Sequence, residues 1–330
     1  MSEISERVCK EELLDYPFSQ QYFPKPPAIL YKYMGAGLAK QFFNCPTVRY
    51  TPFMELNDPF DANPSQGDVL HIDRSKIKRQ MLDHTDVKGP IAVELLVKYI
   101  SEGNYYISAD CLREGINICL EEYCVTLPSI SFIDFVLNKL ELFNSESYRE
   151  KRNEHHRMVM TKQGLGILCL SVRNDSALLW SYYCDKHQGF VVSLKSNHPY
   201  FATTSYSKWS FKEVEYSPNR AKVTIPPDAG PQIETFLKSH FTKKEDWSHE
   251  AEWRQVVFEV QKLDKYTGND GSPIIGVDNL PIEAIDSIII GLNTKSDLAD
   301  YARHFCDKYG IQLQRTRMDL VTFDLHIDNC

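Results

Sequence analysis

The sequence predicts an α+β protein, a strand-rich core interrupted by a mostly helical insertion. Three observations carry this expectation. Short apolar runs such as Gly166–Ser171 (GILCLS), Gly189–Leu194 (GFVVSL) and Ile285–Ile290 (IDSIII) have the length and content of buried strands. Between about residues 68 and 162 the period changes: Ile133, Val136, Leu137, Leu140 and Phe143 recur at helical spacing on one face. Finally, 330 residues at 42% hydrophobic and 25% charged suffice to bury a large core without disulfide staples, which excludes disordered and collagenous classes.

Each element follows in turn. Residues 1–27 are polar and end in Pro24, Pro26 and Pro27, an irregular lead-in that cannot continue a helix or central strand. Residues 28–330 read as a single α+β domain. Ala28–Tyr33 (AILYKY) is its first strand, Gly35–Asn44 a short helix and Thr47–Tyr50 a second strand. The loop Phe53–Pro64 is rich in turn formers. Within the insertion, helices are expected over Ser75–His84, Gly89–Glu102, Arg113–Tyr123 and Ser131–Phe143. Beyond it, Ser176–Tyr183 suits a short helix, and Glu213–Tyr216 and Trp253–Val260 suit strands. Ser296–Tyr309 is a helix with Leu298, Tyr301, Phe305 and Tyr309 aligned, and Ile311–Thr316 and Leu320–Ile327 close the chain as strands.

Composition narrows the function. The net charge of −8 leaves no basic footprint for general nucleic-acid binding. Nine scattered cysteines include no C-x-x-C pair, which argues against a zinc ribbon or thioredoxin-type site and for a reducing, cytoplasmic location. The N-terminus lacks the apolar core of a signal peptide, and the run Ile288–Leu292 is far shorter than a membrane span. P-loop, dinucleotide-fold, zincin and nucleophile-elbow signatures are missing from the chain.

Four clusters hold more polar and aromatic groups than packing requires. In Leu30-Tyr31-Lys32-Tyr33, alternation puts the two tyrosines on one strand face and the lysine on the other, either as an aromatic packing strand or as a cleft wall. Asn57-Asp58-Pro59-Phe60-Asp61 suits a tight turn, with Asn57 and Asp58 bonding back to the loop backbone. It lacks the ligand count of a calcium site, and no metal is expected. The segment Leu179–Phe190 combines Trp180, Ser181, Tyr183 and His187, fitted to stack a flat ring and bond its edges, or else to build a buried tryptophan with a capping histidine. In Lys243–Arg254, Glu252 and Arg254 share a strand face with Val256 and Phe258. Glu252 there is either an electrostatic catalyst or half of an ion pair that fastens a strand end. Cys184 and His187 lack a third, orienting group, so a thiol nucleophile is not favoured.

Taken in order, Leu30–Tyr33, Asn57–Asp61, Leu179–Gly189, Trp247–Arg254 and Ile288–Gly291 resemble the motifs of a bacterial family known as domain of unknown function 2971. The resemblance spans about residues 28–292, with little contribution from 65–162. A weaker resemblance is to the ADP-ribosyltransferase fold, in which a split sheet grips NAD and a late glutamate acts on the ribose. That resemblance implies NAD as substrate and Glu252 as catalytic carboxylate, with Glu250 its partner in Glu-x-Glu. Tyr31 or Lys32 stands where an Arg or His usually holds the nucleotide, and Tyr183 stacks near the nicotinamide. Tyr33, Trp180, Ser181 and His187 complete the cofactor-binding set, supported by Asn57, Asp58, Asp61 and Arg254. No Ser-Thr-Ser strand accompanies them. The expected function is an NAD-dependent ADP-ribosyl-transferring or NAD-cleaving enzyme, such as an anti-phage defence or toxin effector. Its partners are a nucleotide-type small molecule and a macromolecular acceptor, with no membrane. Two alternatives stand beside it: a non-catalytic nucleotide sensor on the same cleft, and a carboxylate-dependent hydrolase.

Overall fold

Runs of Ile, Leu and Val too short for helices build the main sheet of the computed structural model. It describes residues 23–63, 65–66, 73–82, 90–101, 113, 116–117, 130–141, 146–162, 164–202, 208–223, 232–258, 260, 263–267 and 273–330. The chain divides into two units, 1–62 with 159–219 and 241–330, and 63–158 with 220–240. In chain order the strands are β1 (Ile29–Met34), β2 (Thr47–Arg49), β3 (Thr51–Pro52), β4 (Ser65–Gln66), β5 (Gly166–Ser171), β6 (Phe190–Lys195), β7 (Lys212–Glu213) and β8 (Glu215–Ser217). They continue as β9 (Lys222–Val223), β10 (Thr242–Lys244), β11 (Glu252–Val257), β12 (Asp264–Thr267), β13 (Pro273–Asn279), β14 (Ile285–Ile290), β15 (Gln312–Met318) and β16 (Leu325–Asn329). The helices are α1 (Ala39–Asn44), α2 (Arg74–Leu82), α3 (Pro90–Ser101), α4 (Ile130–Glu141), α5 (Glu146–Lys162), α6 (Ala177–Tyr183), α7 (Gln232–Phe241) and α8 (Ser296–Tyr309).

In the first unit, nine strands form one mixed sheet along the path β16–β15–β14–β6–β1–β5–β11–β7, with β3 also on β5. Strands β14 and β15 run parallel, joined through α8, and the remaining pairings in this sheet are antiparallel. Register gives the two faces different cores. Leu30, Leu168, Leu170, Phe190, Val192 and Leu194 pack with Phe42 and Phe43 of α1 and with Leu298, Ala302 and Phe305 of α8. Each such buried side chain contributes roughly 1.5–3 kcal/mol. On the opposite face, Val191, Ile289, Tyr31 and Tyr33 meet Trp180, Cys184 and Leu325.

The sheet opens along its middle. Strand β1 pairs with β6 along its whole length, from Ile29–Lys195 to Met34–Phe190, but shares with β5 the single registered pair Tyr31–Ser171. Beside that pair, the half-buried Lys32 donates through Nζ to the carbonyl of Cys169 at 3.0 Å.

Helix α6 starts where Ser176 Oγ accepts from the Leu179 amide, and it ends in an unusual turn. Asp185, Lys186 and His187 all have left-handed φ, at 49°, 59° and 67°. Such a conformation costs an L-residue roughly 1–2 kcal/mol, so neighbours must hold it. The His187 amide donates to Trp180 O, Asp185 Oδ2 accepts from the Ala36 amide, and Asn293 bonds the carbonyls of Lys186 and His187. Space there is nearly closed. A Cβ at Gly189 would stand 2.1 Å from Met34 O, and one at Gly291 would stand 2.1 Å from His187 O.

The second unit has its own apolar centre, with Ile77 and Met81 of α2, Leu96 and Ile100 of α3, and Val136 and Leu137 of α4. Lys78 of α2 pairs with Asp134 of α4. Strands β4 and β9 pair in parallel, next to Arg220, whose Nε donates to Asn63 O at 2.9 Å.

Several elements differ from the sequence expectation. The segment after Gly35 begins as a 3-10 turn over Ala36–Leu38 before α1. The expected strand Glu213–Tyr216 is broken into β7 and β8, which join different sheets. The last strand starts at Leu325 rather than Leu320, because Asp319 Oδ1 accepts from the amides of Val321 and Thr322 and folds 319–324 into a turn. Residues 1–22 and most of the expected helix Arg113–Tyr123 lie outside the described residues. Among the described residues no helix is long and apolar enough to cross a membrane.

Gly189→Ala and Gly291→Ala should each lower stability by roughly 1–3 kcal/mol, because the clash is with backbone and the backbone must shift. Thermal denaturation of the two variants measures this; unchanged melting would show that the turn at 185–187 is free to move.

Candidate functional site

Period-two alternation sets Glu252 and Arg254 on the same face of β11, opposite Ser171 and Cys169 of β5. Immediately before the strand, a 3-10 helix over Glu245–Glu250 ends at Ala251, which is left-handed (φ 43°, ψ 56°). That turn brings Glu250 next to Glu252, and Ser171 Oγ fastens it by donating to Glu250 O at 2.6 Å. Two further residues join them: Lys243 of β10, seven residues before Glu250, and Asp61, remote in sequence, from the loop after β3.

These five charged side chains form one buried cluster. Arg254 holds Glu252 with two bonds, Nε to Oε1 at 2.8 Å and Nη2 to Oε2 at 3.0 Å, and reaches Asp61 Oδ2 at 2.8 Å. Lys243 Nζ lies 2.6 Å from Glu250 Oε2, 3.2 Å from Glu252 Oε2 and 3.4 Å from Asp61 Oδ2. All five are buried, Arg254 completely. Charged groups tolerate such burial only when paired and hydrogen-bonded. The balance here is uneven, three carboxylates against two cations, and Asp61 Oδ1 has no hydrogen-bond partner among the described residues.

Electrostatics follow from that packing. Burial alone would raise the pKa of Glu252, but Arg254 and Lys243 reverse this and hold it well below the usual carboxylate range. Desolvation opposes the charge of Lys243, and Glu252 and Asp61 outweigh it, leaving its pKa raised. Arg254 is raised in the same way. Lys32, across the opening of the sheet, shifts the other way: burial lowers its pKa more than Cys169 and Glu252 raise it.

From the cluster a hydrogen-bonded chain leads outward. Tyr183 Oη donates to Glu250 Oε1 at 2.6 Å, and the exposed Asn57 donates from Nδ2 to Tyr183 Oη at 3.1 Å. Burial and then Glu250 push the Tyr183 phenol far above its ordinary pKa, so it stays a donor. On another side the Glu252 amide donates to Tyr216 Oη at 2.9 Å, and Lys243 Nζ stands 5.1 Å from the centre of the Trp247 ring.

Asn57, Asp61, Tyr183, Glu250, Glu252 and Arg254, drawn from three sequence motifs, therefore meet in one place. Other expected residues do not. Trp180 is fully buried, edge-on to Tyr33, with its indole nitrogen donating to Asn174 O at 2.7 Å. Its ring is a core side chain and offers no open stacking surface. Tyr33 is tied to Arg173 O at 2.9 Å, and Tyr31 lies half-buried on the face of Glu252. Ser181 Oγ is 3.3 Å from His187 Nε2 and also donates to Ala177 O, while the His187 ring lies parallel to Trp180. Burial lowers the His187 pKa. Asp58 accepts from the Phe60 amide at 2.9 Å, the local turn expected of it. Asn57, expected to bond loop backbone, reaches the Tyr183 hydroxyl instead.

Local sequence pattern singles out neither Lys243 nor Tyr216. The signal for Lys243 is a charge count: two glutamates preceding one arginine at a strand mouth require a further cation if all are buried. Among the described residues no group of three or more His, Cys, Asp or Glu side chains is arranged to hold a metal ion.

Residues 179–255 match the family model described as protein of unknown function, DUF2971, whose motifs the sequence resembles. The matched span contains Tyr183, Lys243, Glu250, Glu252 and Arg254. No curated protein and no solved structure matches the chain.

Two outcomes test the cluster. Lys243→Met leaves three carboxylates facing one cation and should cost about 3–5 kcal/mol in urea unfolding, whereas Glu250→Gln evens the charges and should cost about 1–3 kcal/mol. Equal losses would refute the charge-balance account. The pH dependence has a definite sign. The folded pKa of Glu252 is depressed, so its contribution is present above the unfolded value of about 4.3 and is lost as pH falls. The raised pKa values of Lys243 and Arg254 keep their contributions intact below about pH 10. Stability measured against pH should thus decline below about pH 5, and Glu252→Gln should flatten that decline.

Proposed function

We propose that the protein uses NAD as a substrate, breaking the nicotinamide–ribose bond and passing ADP-ribose to an acceptor or to water. In that reaction the C1′–N bond breaks with its electron pair leaving on nicotinamide, and an oxocarbenium-like carbon develops. The acceptor oxygen or nitrogen then bonds to C1′ and loses its proton. A fixed carboxylate beside the developing cation lowers the barrier, typically by a factor of about 10²–10³.

The observation that carries this reading is the position of an acidic Glu-x-Glu at the mouth of β11, beside the place where β1 and β5 separate after one ladder pair. Of the two acids, Glu250 is the one assigned to the chemistry. Its Oε1 is reached by the half-buried Tyr183, which connects to the exposed Asn57, whereas Glu252 spends both oxygens on Arg254 and Lys243. In this arrangement Glu252 and Arg254 position Glu250 through Lys243, and Tyr31 and Tyr183 supply aromatic surface. A macromolecular acceptor in the cytoplasm, and a role in anti-phage defence or as a toxin, belong to the same proposal. A second reading is a nucleotide sensor that binds without cleaving, favoured by the full engagement of Glu252.

The test incubates the purified protein with NAD and measures nicotinamide release together with thermal protection. Wild type should release nicotinamide, and Glu250→Gln should lose at least about 100-fold in rate while NAD still raises its melting temperature. Protection without release in the wild type supports the sensor. Neither protection nor release overturns both readings.

A further inference from the structure

We propose that the free edge of β16 is a self-association surface, pairing antiparallel with β16 of a second copy about a two-fold axis at Ile327. Three independent features point there. First, β16 ends the sheet path among the described residues, so one side of its backbone has no strand neighbour. The direction of each group follows from the ladder. The Cys330 amide bonds Leu313 O and the Asp324 carbonyl accepts from Asp319, so residues 324, 326, 328 and 330 turn their backbone toward β15. The N–H and C=O groups of Leu325, Ile327 and Asn329 therefore point outward.

Second, that pattern fits a two-fold at Ile327. Two copies placed antiparallel there exchange hydrogen bonds between Ile327 and its symmetry mate, and between Leu325 and Asn329, using only outward groups. The same register sets His326 opposite Asp328 of the other copy, twice by symmetry. Shifting the axis one residue either way sets His326 opposite His326 or Asp328 opposite Asp328, which is repulsive for the aspartates and loses both mixed pairs. Self-complementarity thus selects one register. Third, Ile327 and Leu325 belong to the apolar cluster of Trp180, Val191 and Ile289, so the pairing extends an existing core across the axis.

The hairpin tip adds apolar surface. Leu320, Val321 and Phe323 are almost wholly exposed although the turn is firmly built: Asp319 caps two amides, and His326 Nε2 lies 2.8 Å from Asp319 Oδ2. In the proposed register Asp324 lies opposite Cys330, so the tip extends past the end of the second copy's β16. Ordered, exposed apolar clusters of this kind mark interaction surfaces.

Sedimentation of the full chain across about 1–100 μM, a range spanning ordinary homodimer affinities, should show a reversible monomer–dimer equilibrium. Ile327→Pro deletes one outward N–H and leaves the ladder to β15 intact, and it should abolish the dimer. Asp328→Asn should weaken association severalfold, because it removes the charge opposite His326 of the other copy and leaves the Asp319–His326 contact of the turn in place. Circular dichroism guards against misfolding, because only a folded monomer counts as support. A wild type that stays monomeric throughout overturns the proposal, as does a dimer that survives Ile327→Pro. Binding to neutral lipid vesicles by a monomeric chain would also overturn it, by assigning the apolar tip to a membrane.

Discussion

The bidentate bond between Glu252 and Arg254, sealed inside the first unit, is the constraint around which the surrounding chain is arranged. An ion pair without water is costly unless every lone pair and proton is used. Lys243 and Asp61 are drawn in for that reason, and they fix where β10 and the loop after β3 must lie. The left-handed Ala251 is part of the same arrangement, since a residue in ordinary extended geometry would not carry Glu250 back beside Lys243.

Much of the fold was legible in local pattern. Gly166–Ser171, Ile285–Ile290 and Ser296–Tyr309 stand where their periodicity put them, because each is buried along a simple face. The residues Leu320–Phe323 misled because their composition suits a strand, while Asp319 captures their amides first. At the site, alternation correctly set Glu252 and Arg254 on one face of β11. It could not supply Asp61, whose sequence context is that of a turn, nor Lys243, whose partner acids are known only once Ala251 bends the chain. Trp180 shows the converse: an aromatic residue in a polar motif suggested a ligand platform, yet its indole nitrogen finds a carbonyl and its ring fills the core.

The two acids of Glu-x-Glu are also held differently. In Glu-x-Glu the second acid is saturated by cations, and the first keeps one oxygen for a tyrosine facing outward. A charge held by two fixed cations is a foundation. The charge of Glu250 is divided between Lys243 and the Tyr183 phenol, one cation fewer than Glu252 has. The motif glycines Gly189 and Gly291 likewise serve backbone approach at the turn after α6, where Asp185, Lys186 and His187 are held left-handed.

The contact between Asp61 and Lys243 has a consequence for how this chain can change in length. Asp61 lies just before the chain leaves the first unit, and Lys243 just after it returns; between the two excursions, β8 runs in parallel beside β10. The exits and the final re-entry are thereby pinned within one small region by side chains and a short ladder. Once the ends of a loop are fixed, lengthening it adds entropy only logarithmically, about 0.6 kcal/mol for each doubling. By closure entropy alone, added length in segments 63–158 and 220–240 weighs little on the sheet that holds the acids. The charged cluster therefore also marks the junction where the chain leaves the first unit and finally returns to it.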